Sequence, residues 1–165
     1  MAATNRRLVI VRHAKSAWPE GVPDVERPLA PRGRRDAPAI GRWLHTHLDD
    51  TDGIDAVVCS PALRARQTWQ LAATELGDPP PPRFDDRVYA ATADELLAVV
   101  RELPGTGTTA VLIGHNPGLE DLVELLSGRE CVLKTSSVAM VSLPGPWAQA
   151  GPRRAHLDAH ATPRG

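Results

Sequence analysis

The chain has 165 residues and a mass of 17.7 kDa, a size that predicts one domain, because two domains would each fall below the usual range. Apolar residues make up 42% and charged residues 24% of the sequence, which is ordinary globular usage and excludes wholesale disorder. Nineteen basic and twenty acidic side chains give a formal net charge of -1, which argues against a protein that binds nucleic acid through bulk positive charge.

Short apolar runs indicate the strands of this domain. Residues 8–11 form an unbroken, β-branched-rich run, which is the pattern of a strand covered on both faces. Residues 54–59 (IDAVVC) predict a second strand, and residues 108–113 (TTAVLI) predict a third, buried strand. Weaker extended segments are expected at residues 83–89, 138–143 and 154–158.

Helical patterns separate these runs. Residues 37–48 carry apolar side chains at spacings of three and four, and Pro38 in the first turns implies that this helix starts later or bends there. The segments at 60–76 and 116–126 each begin with a capping side chain followed by a proline, which is the signal of a helix start. A further amphipathic helix is expected at residues 93–103.

The alternation of strands and helices sets the expected fold. It predicts an α/β fold with a mainly parallel sheet and helices on both faces, that is, a three-layer α/β/α sandwich. We expect a single domain over residues 1–165, with a core at about 8–158 and a frayed tail at 159–165. In such sheets ligands bind beyond the carboxyl ends of the strands, so the residues at those ends are the candidates for function.

Histidines and arginines follow the three buried strands. The first strand runs directly into Arg12 and His13. The second is followed by Arg64 in the first helical turn, and the third runs into His115. Helix N-termini and arginines both favour phosphate. The residues by themselves leave two interpretations open, a phosphate-handling site and a set of side chains with structural roles.

Three ordered segments carry a resemblance to a known family. LVIVRHAKS, SPALRARQT and VLIGHNPG resemble the motifs of the histidine phosphatase superfamily, which includes the phosphoglycerate mutases. The short length and the segment RPLAPRG at residues 27–33 are most similar to its SixA-type phosphohistidine phosphatases. The likeness runs from about residue 8 to residue 143, and it implies a phosphoglycerate mutase-like fold.

The resemblance also implies roles for individual residues. His13 matches the family's nucleophile, which forms a covalent phosphohistidine. Arg12, Arg64 and His115 match the groups that hold the phosphate oxygens. Ser16 and Asn116 flank the two histidines and are further candidates for phosphate contacts, with simple capping as the alternative. Because the arginines supply positive charge, no metal and no cofactor are expected.

Two positions depart from the family's pattern. Ala14 stands where the family usually has glycine, a change that costs little if the backbone there avoids positive φ. The mutase branch has a glutamate as general acid in a Glu-Arg-x-Tyr-Gly segment, and the nearest match here, residues 86–90, implies Asp86. A merely structural role for Asp86 stays open, and so do four rival acids: Glu20, Asp24, Glu26 and Asp85.

The implied activity is the hydrolysis of a phosphate-bearing substrate. Only about twenty residues separate Tyr89 from Thr108, too few for a lid over the site, and Trp18 is a candidate for a pocket wall. An open pocket favours protein phosphohistidine, for example on a histidine-containing phosphotransfer domain. The alternatives are a small phosphomonoester as substrate and a non-catalytic phosphate-binding regulatory module.

Cysteine usage and hydropathy bear on location. Cys59 and Cys131 are too few for disulfide bonds to stabilise a domain of this size, and they suit a reducing compartment. No apolar run approaches the length of a bilayer span, and the run at residues 8–11 is too short for a signal peptide. We therefore expect a cytoplasmic monomer without membrane or nucleic-acid partners.

Overall fold

A six-stranded sheet forms the centre of the computed structural model, which describes residues 5–48 and 53–165. Its strands are β1 (Asn5–Arg12), β2 (Ala56–Cys59), β3 (Arg83–Phe84), β4 (Thr109–Gly114), β5 (Val138–Pro144) and β6 (His156–Ala161). The strand order is β3-β2-β4-β1-β5-β6. The first four of these are mutually parallel, and β5 runs antiparallel to both of its neighbours. The predicted α/β class with a mainly parallel sheet is confirmed.

Four α-helices connect and cover the strands: α1 (Pro31–His47), α2 (Leu63–Ala73), α3 (Ala93–Arg101) and α4 (Gly118–Ser127). Helix α1 begins earlier than its apolar spacing indicated, because Pro31 occupies a first-turn position that needs no N–H donor. Helix α4 ends at Gly128, which adopts the left-handed conformation with φ 74°. No helix in the described ranges combines the length and apolarity needed to cross a membrane.

The helices bury two separate apolar faces of the sheet. Successive side chains of a strand point to opposite faces, so Val9 packs with the α1 and α2 side while Leu8 packs with the α3 and α4 side. Leu8, Val9 and Ile10 are each exposed by no more than 1%, as expected for a strand covered on both faces. The result is the expected three-layer arrangement, in which the carboxyl ends of the parallel strands β1, β2 and β4 lie at one edge of the sheet.

The two helices on one face approach each other closely at a glycine. A Cβ at Gly41 of α1 would lie 2.0 Å from the carbonyl oxygen of Ala72 in α2. Only glycine therefore fits at this crossing. Because α2 carries Arg64 in its first turn, this contact also fixes where Arg64 lies relative to the sheet.

The C-terminal residues pack against the rest of the domain, so the prediction of a frayed tail at 159–165 is wrong. Strand β6 extends to Ala161, and Arg164 beyond it donates to Asp36 Oδ2 at 2.8 Å. Asp36 is only 2% exposed, and it also accepts from the main-chain N–H of Gly165 at 3.1 Å. A buried carboxylate needs such partners. The partners lie more than 120 residues away in sequence, where no local pattern could reveal them.

Candidate active site

A pocket of about 210 Å³ lies beyond the carboxyl ends of β1, β2 and β4. Six sequence-predicted residues line it: Arg12, His13, Ser16, Arg64, His115 and Asn116. Trp18 lines it as well. Three segments that are far apart in the chain therefore meet at one pocket, as expected for the carboxyl ends of parallel strands.

The main chain of His13 is held from both sides. Its N–H donates to the carbonyl of Gly114 at 3.2 Å, and its carbonyl accepts from the N–H of Ser136 at 3.1 Å. The ring Nδ1 lies 2.8 Å from the carbonyl oxygen of Ala14. A carbonyl can only accept, so Nδ1 carries the proton and Nε2 keeps a free lone pair.

His13 is neutral at physiological pH. Burial lowers its pKa to about 3, against the opposing effect of the Ala14 hydrogen bond, and the charges of His115, Arg64 and Arg12 lower it further. The side chain is only 7% exposed. An imidazole in this state is a nucleophile, because its lone pair is not occupied by a proton.

His115 faces His13 across the pocket, with the ring centroids 5.0 Å apart. Its Nε2 lies 2.7 Å from Ser60 Oγ. Ser60 Oγ also accepts from the N–H of Ala62 at 3.2 Å. Helix α2 starts at Leu63, two residues later than the predicted first helical position. Burial, followed by the charge of Arg64, lowers the pKa of His115 to about 4. His115 Nδ1 is buried without a hydrogen-bond partner among the described residues.

The side chains of Arg12 and Asn116 are held by hydrogen bonds to the same acceptor. Arg12 Nη1 and Asn116 Nδ2 both donate to the carbonyl of Leu133, at 2.9 Å and 2.7 Å. Arg12 Nε is buried and has no partner within the described parts of the chain. A buried donor without a partner is costly, and an anion in the pocket is the kind of group that would satisfy it.

Arg64 donates to Asp24 through two nitrogens. Nη1 bonds the main-chain carbonyl at 2.7 Å, and Nη2 bonds Oδ2 at 3.0 Å. Asp24 also accepts from Tyr89 Oη at 2.5 Å and from Arg27 Nη1 at 2.9 Å. These hydrogen bonds, from Tyr89 first and then Arg27, hold the pKa of Asp24 far below its usual range. Asp24, a rival proton donor in the sequence, is therefore a fixed carboxylate that organises the arginines.

Asp86 is not brought to the pocket with the other predicted residues. It begins a short 3-10 helix (Asp86–Val88), where it is exposed, and it is not among the residues that line the pocket. Its neighbour Asp85 is 8% exposed and caps this turn by accepting from the N–H of Arg87 at 3.0 Å. From the same segment it is Tyr89 that reaches the site, with its ring centroid 5.6 Å from that of His115.

Arg27 is a pocket residue that the sequence motifs did not indicate. Arg27 lines the pocket and is only 7% exposed. Its Nε donates to the carbonyl of Ala17 at 3.0 Å, and its Nη2 donates to Ser16 Oγ at 2.5 Å. The RPLAPRG segment that begins with this arginine was visible, but nothing in its spacing indicated that the chain folds back onto the loop after β1.

The loop after His13 accommodates alanine at position 14, and it needs glycine at position 33 of α1, which packs against it. Ala14 does not have a positive φ, so its substitution for glycine causes no strain. It is fully buried, and its N–H donates to Thr68 Oγ1 at 2.9 Å. A Cβ at Gly33 in α1 would lie 2.0 Å from the carbonyl oxygen of Lys15, so the glycine of RPLAPRG lets α1 pack directly under this loop.

The arrangement has the chemistry of an anion site with its own nucleophile. A neutral imidazole with a free Nε2 lies among arginines, at the edge of a sheet where phosphates are usually bound. No group of three or more His, Cys, Asp or Glu side chains within 5–48 and 53–165 could hold a metal ion. The fold and the site together define an α/β protein whose pocket combines histidines and arginines, a composition that suits a phosphate-bearing ligand.

The comparisons with known proteins identify the family. Residues 8–89 match the model of the histidine phosphatase superfamily (branch 1). An uncharacterized protein of Mycobacterium tuberculosis is 38% identical over 93% of this chain and 100% of its own length. The structure of a proposed phosphohistidine phosphatase SixA from Nakamurella multipartitia is 32% identical, covers 99% of both chains and superposes with a TM-score of 0.83. The chain belongs to the histidine phosphatase superfamily.

A second solved structure supports the same fold. The protein histidine phosphatase SixA in complex with tungstate has a TM-score of 0.80 at 23% identity, with 94% of this chain and 96% of that chain covered. The predicted family and the phosphoglycerate mutase-like fold are both confirmed.

Proposed function

We propose that this chain is a phosphatase for protein-borne phosphohistidine that works through a covalent phosphohistidine at His13, without a metal or cofactor. The observation that carries the proposal is the hydrogen bond from His13 Nδ1 to the Ala14 carbonyl, which leaves Nε2 free within a pocket that Arg12 and Arg64 also line. The structure of the 32% identical protein, described as a proposed phosphohistidine phosphatase, supports the same substrate class.

The reaction proceeds in two displacements. In the first, the Nε2 lone pair of His13 forms a bond to phosphorus while the bond from phosphorus to the ring nitrogen of the substrate breaks. The departing nitrogen keeps the bonding electrons and takes a proton from solvent. In the second, a water oxygen bonds to phosphorus, the electrons of the broken bond return to Nε2, and a proton passes to solvent. Inorganic phosphate is the product.

Three side chains stabilise the charge that develops on the phosphoryl oxygens. Arg12, Arg64 and His115 donate to these oxygens, and such preorganised donors are a major source of rate acceleration. Arg64 exchanges its bonds to Asp24 for bonds to the phosphoryl group. Asp24 keeps its bonds to Arg27 and Tyr89, so the carboxylate remains satisfied.

The acid–base character of the site favours an imidazole as leaving group. Asp24 is held as a carboxylate by its donors, and Asp86 is exposed outside the pocket lining. An alkoxide leaving group depends strongly on a general acid. An imidazole leaves more readily because it can be protonated from solvent, so a site without a dedicated acid suits phosphohistidine.

The open mouth of the pocket favours a substrate carried by a protein. The segment between Tyr89 and Thr108 contains α3, and its buried residues Leu96, Leu97 and Val100 pack into the core. This helix therefore covers the sheet rather than the pocket. A phosphorylated side chain on a protein surface can enter such a site without a lid having to open.

The proposal is tested with a phosphorylated histidine-containing phosphotransfer domain and a panel of small phosphomonoesters. Wild type should dephosphorylate the domain, His13→Ala should not, and the exposed α1 residue change His45→Ala should have no effect. Turnover of phosphomonoesters alone would identify a small-molecule phosphatase instead. Tungstate binding without turnover of any substrate would identify a non-catalytic module.

A further inference from the structure

Exposed apolar side chains are concentrated in the segment between β1 and α1, part of which lines the pocket. Among the described residues, five large hydrophobic side chains are exposed, and three of them, Trp18, Val22 and Val25, belong to one short segment. Trp18 is 76% exposed and lines the pocket itself. Single exposed hydrophobic residues are ordinary, but a group of them beside a site indicates a contact surface.

Trp18 is held in place despite its exposure. The guanidinium carbon of Arg27 lies 3.3 Å from the centroid of its ring, which is cation–π stacking. Arg27 is itself buried and bonded to Ala17 and Ser16. One face of the indole is therefore covered and its position is fixed, so binding a partner on the open side costs little conformational entropy.

The open side of the indole suits a flat aromatic ring. Aromatic rings pair in offset or edge-to-face contact. The imidazole of a phosphohistidine is such a ring, both while it carries the phosphoryl group and after it has left phosphorus and taken up a proton. An alkyl phosphate or a sugar phosphate offers no aromatic face.

Resting on the function proposed above, we propose that Trp18 is a specificity-determining residue that contacts the imidazole of a protein-borne phosphohistidine at the pocket mouth. Val22 and Val25 extend this contact to the surface of the carrier protein. The phosphoryl group is bound by the arginines and His115, whereas Trp18 binds the group to which it is attached. A substrate without a ring does not use Trp18.

Two substrates separate this role from the chemistry of the site. One is the phosphorylated histidine-containing phosphotransfer domain, and the other is phosphoramidate, which has the same P–N bond without a ring. We expect Trp18→Ala to lower kcat/KM for the domain by up to about tenfold, the loss of one aromatic contact, and to leave kcat/KM for phosphoramidate unchanged. Trp18→Phe should restore most of the loss.

Phe84→Ala is the matched control. Phe84 is another exposed aromatic residue, 49% accessible, with the arginine Arg66 5.4 Å from its ring centroid, and it does not line the pocket. This variant should behave as wild type with both substrates. An equal fall in kcat/KM for the domain in Phe84→Ala would show that exposed aromatic surface in general, and not Trp18, causes the effect.

The outcomes also separate this inference from the proposed function. If wild type hydrolyses the domain and Trp18→Ala does so equally well, the inference is overturned and the function stands. If kcat/KM falls equally for both substrates in Trp18→Ala, Trp18 acts only by supporting Arg27, and the inference is again overturned. If wild type hydrolyses phosphoramidate but not the domain, the proposed function itself fails.

Discussion

The role of Asp24 can be decided by the change Asp24→Asn, which keeps the shape of the side chain and removes its charge. Asp24 contacts Arg64, Arg27 and Tyr89 at the edge of the pocket. The low pKa that these donors impose makes it a carboxylate at neutral pH. We therefore expect the variant to bind phosphate less well but to catalyse the chemical step almost normally.

The size of the effect distinguishes the two roles. Asp24 forms side-chain ion pairs with Arg27 at 2.9 Å and with Arg64 at 3.0 Å, and its side chain is 48% exposed. The pair with Arg64 gives way to the phosphoryl group when substrate binds, so only the pair with Arg27 persists in the complex. A half-exposed ion pair contributes at most about 1 kcal/mol, so the expected loss in kcat/KM is less than about sixfold. Removal of a general acid would lower kcat by about 100-fold to 10,000-fold.

The assay compares kcat, KM and the pH profile of wild type and Asp24→Asn with a phosphorylated phosphotransfer domain. We expect the change mainly in KM, with the same pH profile. Glu26→Gln, two residues along on the same 3-10 helix and likewise exposed, is the control and should have no effect. A fall in kcat of more than about 100-fold in Asp24→Asn, with the alkaline limb of the profile altered, would refute the reasoning and identify Asp24 as the proton donor.

Two further predictions concern the buried groups. The pKa values of His13 and His115, about 3 and about 4, lie below the unperturbed value. In a pH titration followed by NMR of the ring protons, both rings should stay neutral from pH 8 down to about pH 5 and gain a proton only below it. Titration midpoints near 6.5 would contradict this prediction. Arg164→Ala leaves Asp36 with fewer donors and should lower the free energy of unfolding, measured in urea, by about 1–3 kcal/mol. The control Arg42→Ala breaks an exposed ion pair and should lower it by less than about 1 kcal/mol. Equal losses in the two variants would show that the docked tail does not stabilise the fold.

The part of the fold that follows local rules was predictable. Residues 8–11 are apolar without interruption and residues 108–113 are rich in apolar and β-branched side chains, and they became the central strands β1 and β4. The alternation with helices then placed their carboxyl ends at one edge. Arg12, His13 and His115 follow those strands directly, so their meeting in one pocket needed only the parallel topology.

The part that depends on long-range contacts was not predictable. Ser60 carries a capping signal, but its hydroxyl bonds His115, and α2 starts later. Asp86 fits the spacing of an acid, yet the cap made by Asp85 turns the chain so that Tyr89 approaches His115 instead. The network of Asp24 with Arg64 and Tyr89 joins residues 40 and 65 positions apart, and no periodicity records such a contact.

The most direct test of the central claim is to trap the intermediate on His13. Wild type is mixed with a substrate labelled in its phosphoryl group and quenched in alkali, and the labelled peptide is identified by mass spectrometry. We expect label on His13 that survives alkali and is lost in acid, and no label in His13→Ala. Label on another residue, or label that survives acid and is lost in alkali as an acyl phosphate would be, contradicts the assignment of His13 as nucleophile.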